Sequence, residues 1–153
     1  MAEMTPKERA LALLDRRDYS RAELIRKLAE KGVPEADAAE AADRLAELGF
    51  VDDARYAPIV VRHYAAKGFG ERRIRQELQR RGIPRELWDE ALGEMPDQTG
   101  RIDALLRSRL SGADPGDRDA LRRASDFLLR RGFDWDEVKE AVERYTSEYE
   151  DAD

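Results

Sequence analysis

Apolar residues return at three- and four-residue intervals along almost the whole chain, broken at regular places by glycine and proline. That spacing puts each set on one side of an α-helix. No stretch alternates apolar and polar residues as a half-buried strand does, so the chain reads as all-α. Thr5, Pro6 and Glu8 supply an N-cap, a proline at the first helical position and a capping-box acid, ahead of Leu11, Leu13 and Leu14. Ser20 and Glu23 form a second capping box before Leu24 and Leu28, and Gly32 ends that helix. Pro34 restarts the chain into a helix carrying Ala38, Ala42, Leu45 and Leu48. Asp52 or Asp53 then caps a helix holding Val60, Val61 and Tyr64; Gly70 opens another, and Pro84 starts a third with Trp88 and Leu92. Ile102, Leu105, Leu106 and Leu110 mark a further helix, followed after "SGADPG" by two more, the last capped by Asp134 and Glu137. Pro58 is an irregularity: either its helix begins near Ala57, or the helix is distorted there.

The pattern repeats. "RKLAEKGVP", "QELQRRGIP" and "DFLLRRGFD" place Gly32, Gly82 and Gly132 fifty residues apart. In the same register Tyr19 matches Phe69, Leu24 matches Ile74, and Leu28, Leu78 and Leu128 form a column. Val33, Ile83 and Phe133 follow the glycines, and Ala38, Trp88, Val138 and Ala42, Leu92, Val142 make two more columns. Several columns agreeing at one period indicate tandem copies of a single supersecondary unit. The reading is therefore three three-helix repeats: residues 5–51, 52–96 and 97–147, with an acidic tail at 148–153.

Composition narrows the class without naming a function. Charged and hydrophobic residues each make up 41% of the 153, a balance that suits a soluble helical protein and argues against a disordered chain. No apolar run reaches transmembrane length, the N-terminus lacks a signal-peptide core, and there is no cysteine, so a cytoplasmic location is expected. The formal charge of −6 hides a strong asymmetry. Residues 55–90 hold nine Lys/Arg against five Asp/Glu and residues 101–131 eight against five, whereas 1–54 hold nine against thirteen and 134–153 two against nine. A basic centre between acidic ends points to an anionic partner.

The basic residues concentrate on the middle helix of each later repeat. In the second, Arg72, Gln76 and Arg80, flanked by Arg73, lie opposite Ile74 and Leu78. The matching positions in the third are Arg122, Asp126, Arg130 and Arg123, and in the first Ala22, Arg26, Glu30 and Glu23. Two copies out of three turn basic at these positions. The six arginines are expected on the solvent side with no core contact, as a surface for phosphates or carboxylates. Lys31, Arg81 and Arg131 precede the glycines and are assigned to the helix dipole. Tyr56, just past the aspartate pair, is expected to be exposed enough to join the contact.

The stretches "YSRAELIRKLAEKGV", "LGFVDDARYA" and "GFGERRIRQELQRRGIPRELWDEAL" resemble the RecX family, bacterial regulators of the RecA recombinase. The resemblance covers nearly the whole chain, with the third repeat the most divergent. It implies three tandem three-helix units in an elongated, curved arrangement, acting as a monomer. It also implies a role without catalysis or cofactor: binding the RecA–single-stranded DNA filament along its groove and restraining filament growth, ATP hydrolysis, strand exchange and coprotease action. Direct contact with single- or double-stranded DNA, seen in some relatives, is a further expectation.

Two rival readings fit less well. A winged-helix transcription regulator would use residues 35–48 as its recognition helix, but these carry Glu35, Asp37, Glu40, Asp43 and Glu47 against Arg44 alone. Phe50 and Val51 also run straight into two aspartates, leaving no second strand for a wing. An enzyme would need a reactive constellation, yet His63 is the single histidine and no serine or second histidine is placed for a relay. "KGFG" lacks the preceding strand and following Lys-Ser/Thr of a phosphate loop, and the aspartate pair lacks further spaced metal ligands. Tyr19, Phe69, Trp88, Phe127 and Phe133 sit at column or stripe positions and read as core, not as base-stacking platforms.

Overall fold

The computed structural model describes residues 3–151, and their regular structure is all helix, with no strand among them. In chain order the helices are α1 (Pro6–Leu14), α2 (Arg21–Glu30), α3 (Glu35–Glu47), α4 (Asp53–Ala66), α5 (Glu71–Arg80), α6 (Trp88–Leu92), α7 (Thr99–Leu110), α8 (Arg118–Arg130) and α9 (Trp135–Asp151). A 3-10 turn, Arg85–Leu87, leads into α6. The caps follow the sequence. Thr5 accepts from the Glu8 amide at 3.1 Å, Ser20 and Glu23 close their box, and Asp134 and Glu137 exchange bonds of 3.1 and 2.8 Å.

Three expectations change. Helix α4 begins at Asp53, capped through Asp52, and runs through Pro58, so a start near Ala57 is excluded. Proline cannot supply the bond that an amide at position 58 would make to the Ala54 carbonyl, but the flanking turns carry the helix across. The segment after Pro84 is a 3-10 turn plus five α-helical residues, shorter than the helix expected there. The tail expected from residue 148 is helical as far as Asp151; Ala152 and Asp153 lie outside the described residues.

The chain divides into two compact units, Met1–Val60 with Glu77–Gly93 and Val61–Gln76 with Glu94–Asp153. The boundary runs through α4 and α5, so the middle trio of helices contributes to both units. In the first unit α1, α2 and α3 pack on one another around Ala10, Leu24, Leu28, Ala38, Ala42 and Leu45, all fully buried. In the second, α7, α8 and α9 enclose Leu106, Leu128, Phe133, Val138 and Ala141. Two of the repeat columns are core throughout: Leu28, Leu78 and Leu128 are each 0% exposed, and Ala38, Trp88 and Val138 are all buried.

Each unit also contains a helix-end joint. In the first, the N-terminus of α2 meets the C-terminus of α5. The Ser20 hydroxyl donates to the Arg81 carbonyl while accepting from the Glu23 amide at 3.0 Å, and Arg26 Nη2 donates to the Arg80 carbonyl at 3.4 Å. In the second, the N-terminus of α5 meets the C-terminus of α8. The Gly70 amide donates to the Arg131 carbonyl at 2.8 Å, the Arg72 amide to the Gly132 carbonyl at 3.1 Å, and the Arg72 guanidinium to the Leu129 carbonyl. The last carbonyls of a helix have no partner within it, and both joints supply one. They also bring a positive dipole end to a negative one.

Ser20 thus has two duties in one hydroxyl. Ser20→Ala removes the cap and leaves the Arg81 carbonyl without that donor, since Ser20 is fully buried. We expect a loss of about 2 kcal/mol in chemical denaturation, against about 0.5–1 kcal/mol for Thr5→Ala at the exposed start of α1. Equal losses would mean that the joint adds nothing to the cap.

Candidate partner-binding surface

The seven candidate residues fall into three settings. In the first unit, Arg80 and Tyr56 border an open cleft of about 450 Å³ with Arg17, Glu23, Arg26 and Arg81. Tyr56 is only 6% exposed, which corrects the expectation of an exposed contact residue. Its ring lies inward because it stands on the same side of α4 as Val60. Its hydroxyl accepts from Arg81 Nη1 at 2.6 Å and from Arg17 Nη1 at 3.4 Å. Burial, then the charge of Glu23, hold the phenol above its ordinary pKa. Glu23 Oε2 stands 3.3 Å from Arg17 and 3.6 Å from Arg81. Arg80 is exposed along its length but bonds Glu77, whose carboxylate is buried, at 3.1 Å. The basic groups of this cleft are therefore engaged with acids or carbonyls of the chain itself.

The second setting is the joint at the start of α5. Arg72 is exposed, yet its guanidinium is committed to the Leu129 carbonyl. Arg73 is half-buried, and its backbone rests against Gly132 so closely that a Cβ there would lie 2.5 Å from both the Arg73 Cβ and amide nitrogen. Arg72 and Arg80 lie on the solvent side as expected and Arg73 only partly so, but the guanidinium groups of Arg72 and Arg80 also bond the chain itself and the backbone of Arg73 packs on Gly132. Arg131 was assigned only to the helix dipole, but it reaches the Gly68 carbonyl at 3.2 Å, bonds the Lys67 carbonyl, and lies 4.0 Å over the Phe69 ring.

The third setting is different. Along α8, Ala120, Ala124 and Leu128 face the core of the second unit. Arg123, Phe127 and Arg130 share an adjoining stripe at four- and three-residue spacing. With Arg109 and Ala113 they line a groove of about 490 Å³. The Arg109 guanidinium lies 3.6 Å over the Phe127 ring, an aromatic support that fixes it without neutralising it. Other arginines of this unit are ion-paired: Arg107 with Glu148 at 2.9 Å, Arg144 with Asp103 at 2.8 Å, and Arg122 with Asp119 at 3.5 Å. Among the described residues no carboxylate lies within ion-pair distance of Arg109, Arg123 or Arg130. Asp126 lines the same groove without pairing to them, so three cations face one carboxylate, and the excess positive charge can take phosphate or carboxylate oxygens.

The sequence names Arg123 and Arg130, which line this groove, but not Arg109, which lines it too and lies outside the repeat columns in the last turn of α7. The signal was a basic residue just ahead of the Gly112-Ala113 turn, where a C-terminal cation faces the next helix. Trp135, 63% exposed at the start of α9, was also not foreseen.

Known proteins resemble this chain closely. A family model for the first three-helix domain of RecX matches residues 7–45, and one for the second matches residues 52–92. The regulatory protein RecX of Xanthomonas axonopodis pv. citri is 44% identical over 92% of this chain and 87% of its own length. That of Chromohalobacter salexigens is 42% identical over 92% of both. The crystal structure of RecX from Lactobacillus salivarius superposes with a TM-score of 0.81 at 23% identity, covering 92% of this chain and 94% of that one.

Proposed function

Because the chain belongs to the RecX family of regulatory proteins, we propose that it binds the RecA–single-stranded DNA filament and restrains its recombinase, ATPase and coprotease activities. It acts as a cytoplasmic monomer, by occupying a surface and without chemistry of its own. The observation that carries the reading is the groove of Arg109, Arg123 and Arg130, net basic against the single carboxylate of Asp126, in a chain whose net charge is −6. An anionic surface, whether phosphodiester or acidic side chain, is its natural complement. Arg122 extends the same charge, weakened by Asp119. The histidine His63 is exposed and meets Tyr64 edge-on, a surface setting that asks for no base. No helix among the described residues is long and apolar enough to cross a membrane.

The test is the RecA ATPase on single-stranded DNA, titrated with this protein. We expect inhibition that weakens steeply between roughly 50 and 200 mM salt, as contacts to phosphates and carboxylates are screened. An ATPase rate indifferent to the protein at low salt would overturn the proposal.

A further inference from the structure

The two joints define what a middle-helix end accepts, and one such end meets no other segment among the described residues. At the end of α5, Gly82 has a φ of +68° and a Cβ on it would meet the Ala22 Cβ at 2.5 Å. At the end of α8, Gly132 has a φ of +99° and faces the backbone of Arg73 at the same distance. In both, the residue before the glycine clamps the incoming segment: Arg81 reaches Glu23, and Arg131 reaches the carbonyls of Lys67 and Gly68. The occupant is in each case a helix N-terminus with a small capping residue, Ser20 or Gly70.

The end of α2 has the same construction. Gly32 follows the helix with a φ of +89°, and Val33 bonds back to the Leu28 carbonyl at 3.0 Å as Ile83 does to Leu78 and Phe133 to Leu128. Yet among the described residues, chain neighbours aside, nothing lies within 4 Å of where a Gly32 Cβ would stand. Lys31, at the place of Arg81 and Arg131, is exposed and has no ion-pair partner among the described residues. A glycine is needed there for its left-handed backbone alone, so the glycine by itself proves no partner. The free carbonyl end and the cation beside it are what match the two filled ends.

We propose that Lys31 and Gly32 form a docking point for the N-terminus of a helix on the protein partner, one with a small cap and a carboxylate in its first turn. Backbone amides of the incoming helix would meet the last carbonyls of α2, and Lys31 would take the carboxylate as Arg81 takes Glu23. This rests on the reading of the chain as a RecA-filament regulator, and it adds a contact far in character from the arginine groove: dipolar and close-packed, not purely ionic.

Two variants test it. Asparagine tolerates the left-handed conformation, so Gly32→Asn keeps the helix end while placing a side chain where the partner must approach. Lys31→Glu reverses the clamp at an exposed position. Both should keep the wild-type thermal midpoint within a few degrees, whereas Gly82→Asn, at a filled end, should lower it sharply. In cosedimentation with RecA filaments on single-stranded DNA, we expect Gly32→Asn to weaken binding about tenfold and Lys31→Glu severalfold. Folded variants that both sediment as the wild type does overturn the docking point and leave the filament reading standing. A wild type that fails to sediment overturns both. Sedimentation velocity of the protein alone covers the remaining occupant: self-association abolished by Gly32→Asn would assign the end to a second copy and overturn the partner helix.

Discussion

Gly132→Ala is expected to destabilise the protein by about 2–4 kcal/mol, well beyond the ordinary cost of alanine at a helix end. A left-handed backbone alone costs alanine about 1 kcal/mol. Gly132 adds a collision: the new Cβ would lie 2.5 Å from the Arg73 Cβ and amide nitrogen. Overpacking of that kind costs about 1–3 kcal/mol more, because backbone has to shift. Gly82→Ala should fall just below it, since its collision is with one methyl group, that of Ala22. Gly32→Ala meets nothing within 4 Å and should show the conformational cost only. Urea denaturation of the three variants should therefore order them Gly32, Gly82, Gly132 in increasing loss. Equal losses at all three would mean that the joints yield freely and that conformation alone explains the glycines.

That ordering also marks the limit of what the sequence discloses. The glycine columns announce three helix ends with left-handed residues, and Gly32, Gly82 and Gly132 all have positive φ. Nothing in a column says that Gly82 abuts Ala22, sixty positions earlier, because local periodicity carries no information about which helix end meets which. Capping boxes were legible for the opposite reason: Ser20 and Glu23 act within one turn of each other. The place of Tyr56 just past the aspartate pair suggests exposure, whereas the ring is buried and the hydroxyl is satisfied by Arg81 and Arg17. Glu77 stood in plain sight, three residues after Ile74 and next to Leu78, on the inward face of α5. Its charge disguised a buried position, 3% exposed, that the arginines at 80 and 81 make tolerable. The same blindness to partners made six arginines look alike.

The structure divides those six, and the division predicts opposite outcomes for charge reversal. Arg72→Glu puts a carboxylate against the Leu129 carbonyl, at the negative end of α8, in place of the donor that now bonds it. Arg80→Glu sets a second carboxylate beside buried Glu77, an effect softened by the exposure of residue 80. Together with Arg73→Glu, these reversals should cost on the order of 2–4 kcal/mol and lower the melting temperature by many degrees, so any lost inhibition of RecA would follow from lost structure. Arg123 and Arg130 have no such duties. Reversing both should shift stability by no more than about 1 kcal/mol, as is usual for surface positions away from special contacts. An anionic partner, however, would meet two repulsive charges where it now finds two attractive ones. Inhibition of the RecA ATPase should then weaken about tenfold or more, with helicity and melting temperature close to those of the wild type. The salt dependence of the remaining inhibition should flatten, because fewer charge contacts are left to screen. If the Arg123→Glu, Arg130→Glu protein is folded and inhibits undiminished, the groove of α8 is a solvated face and the partner binds elsewhere.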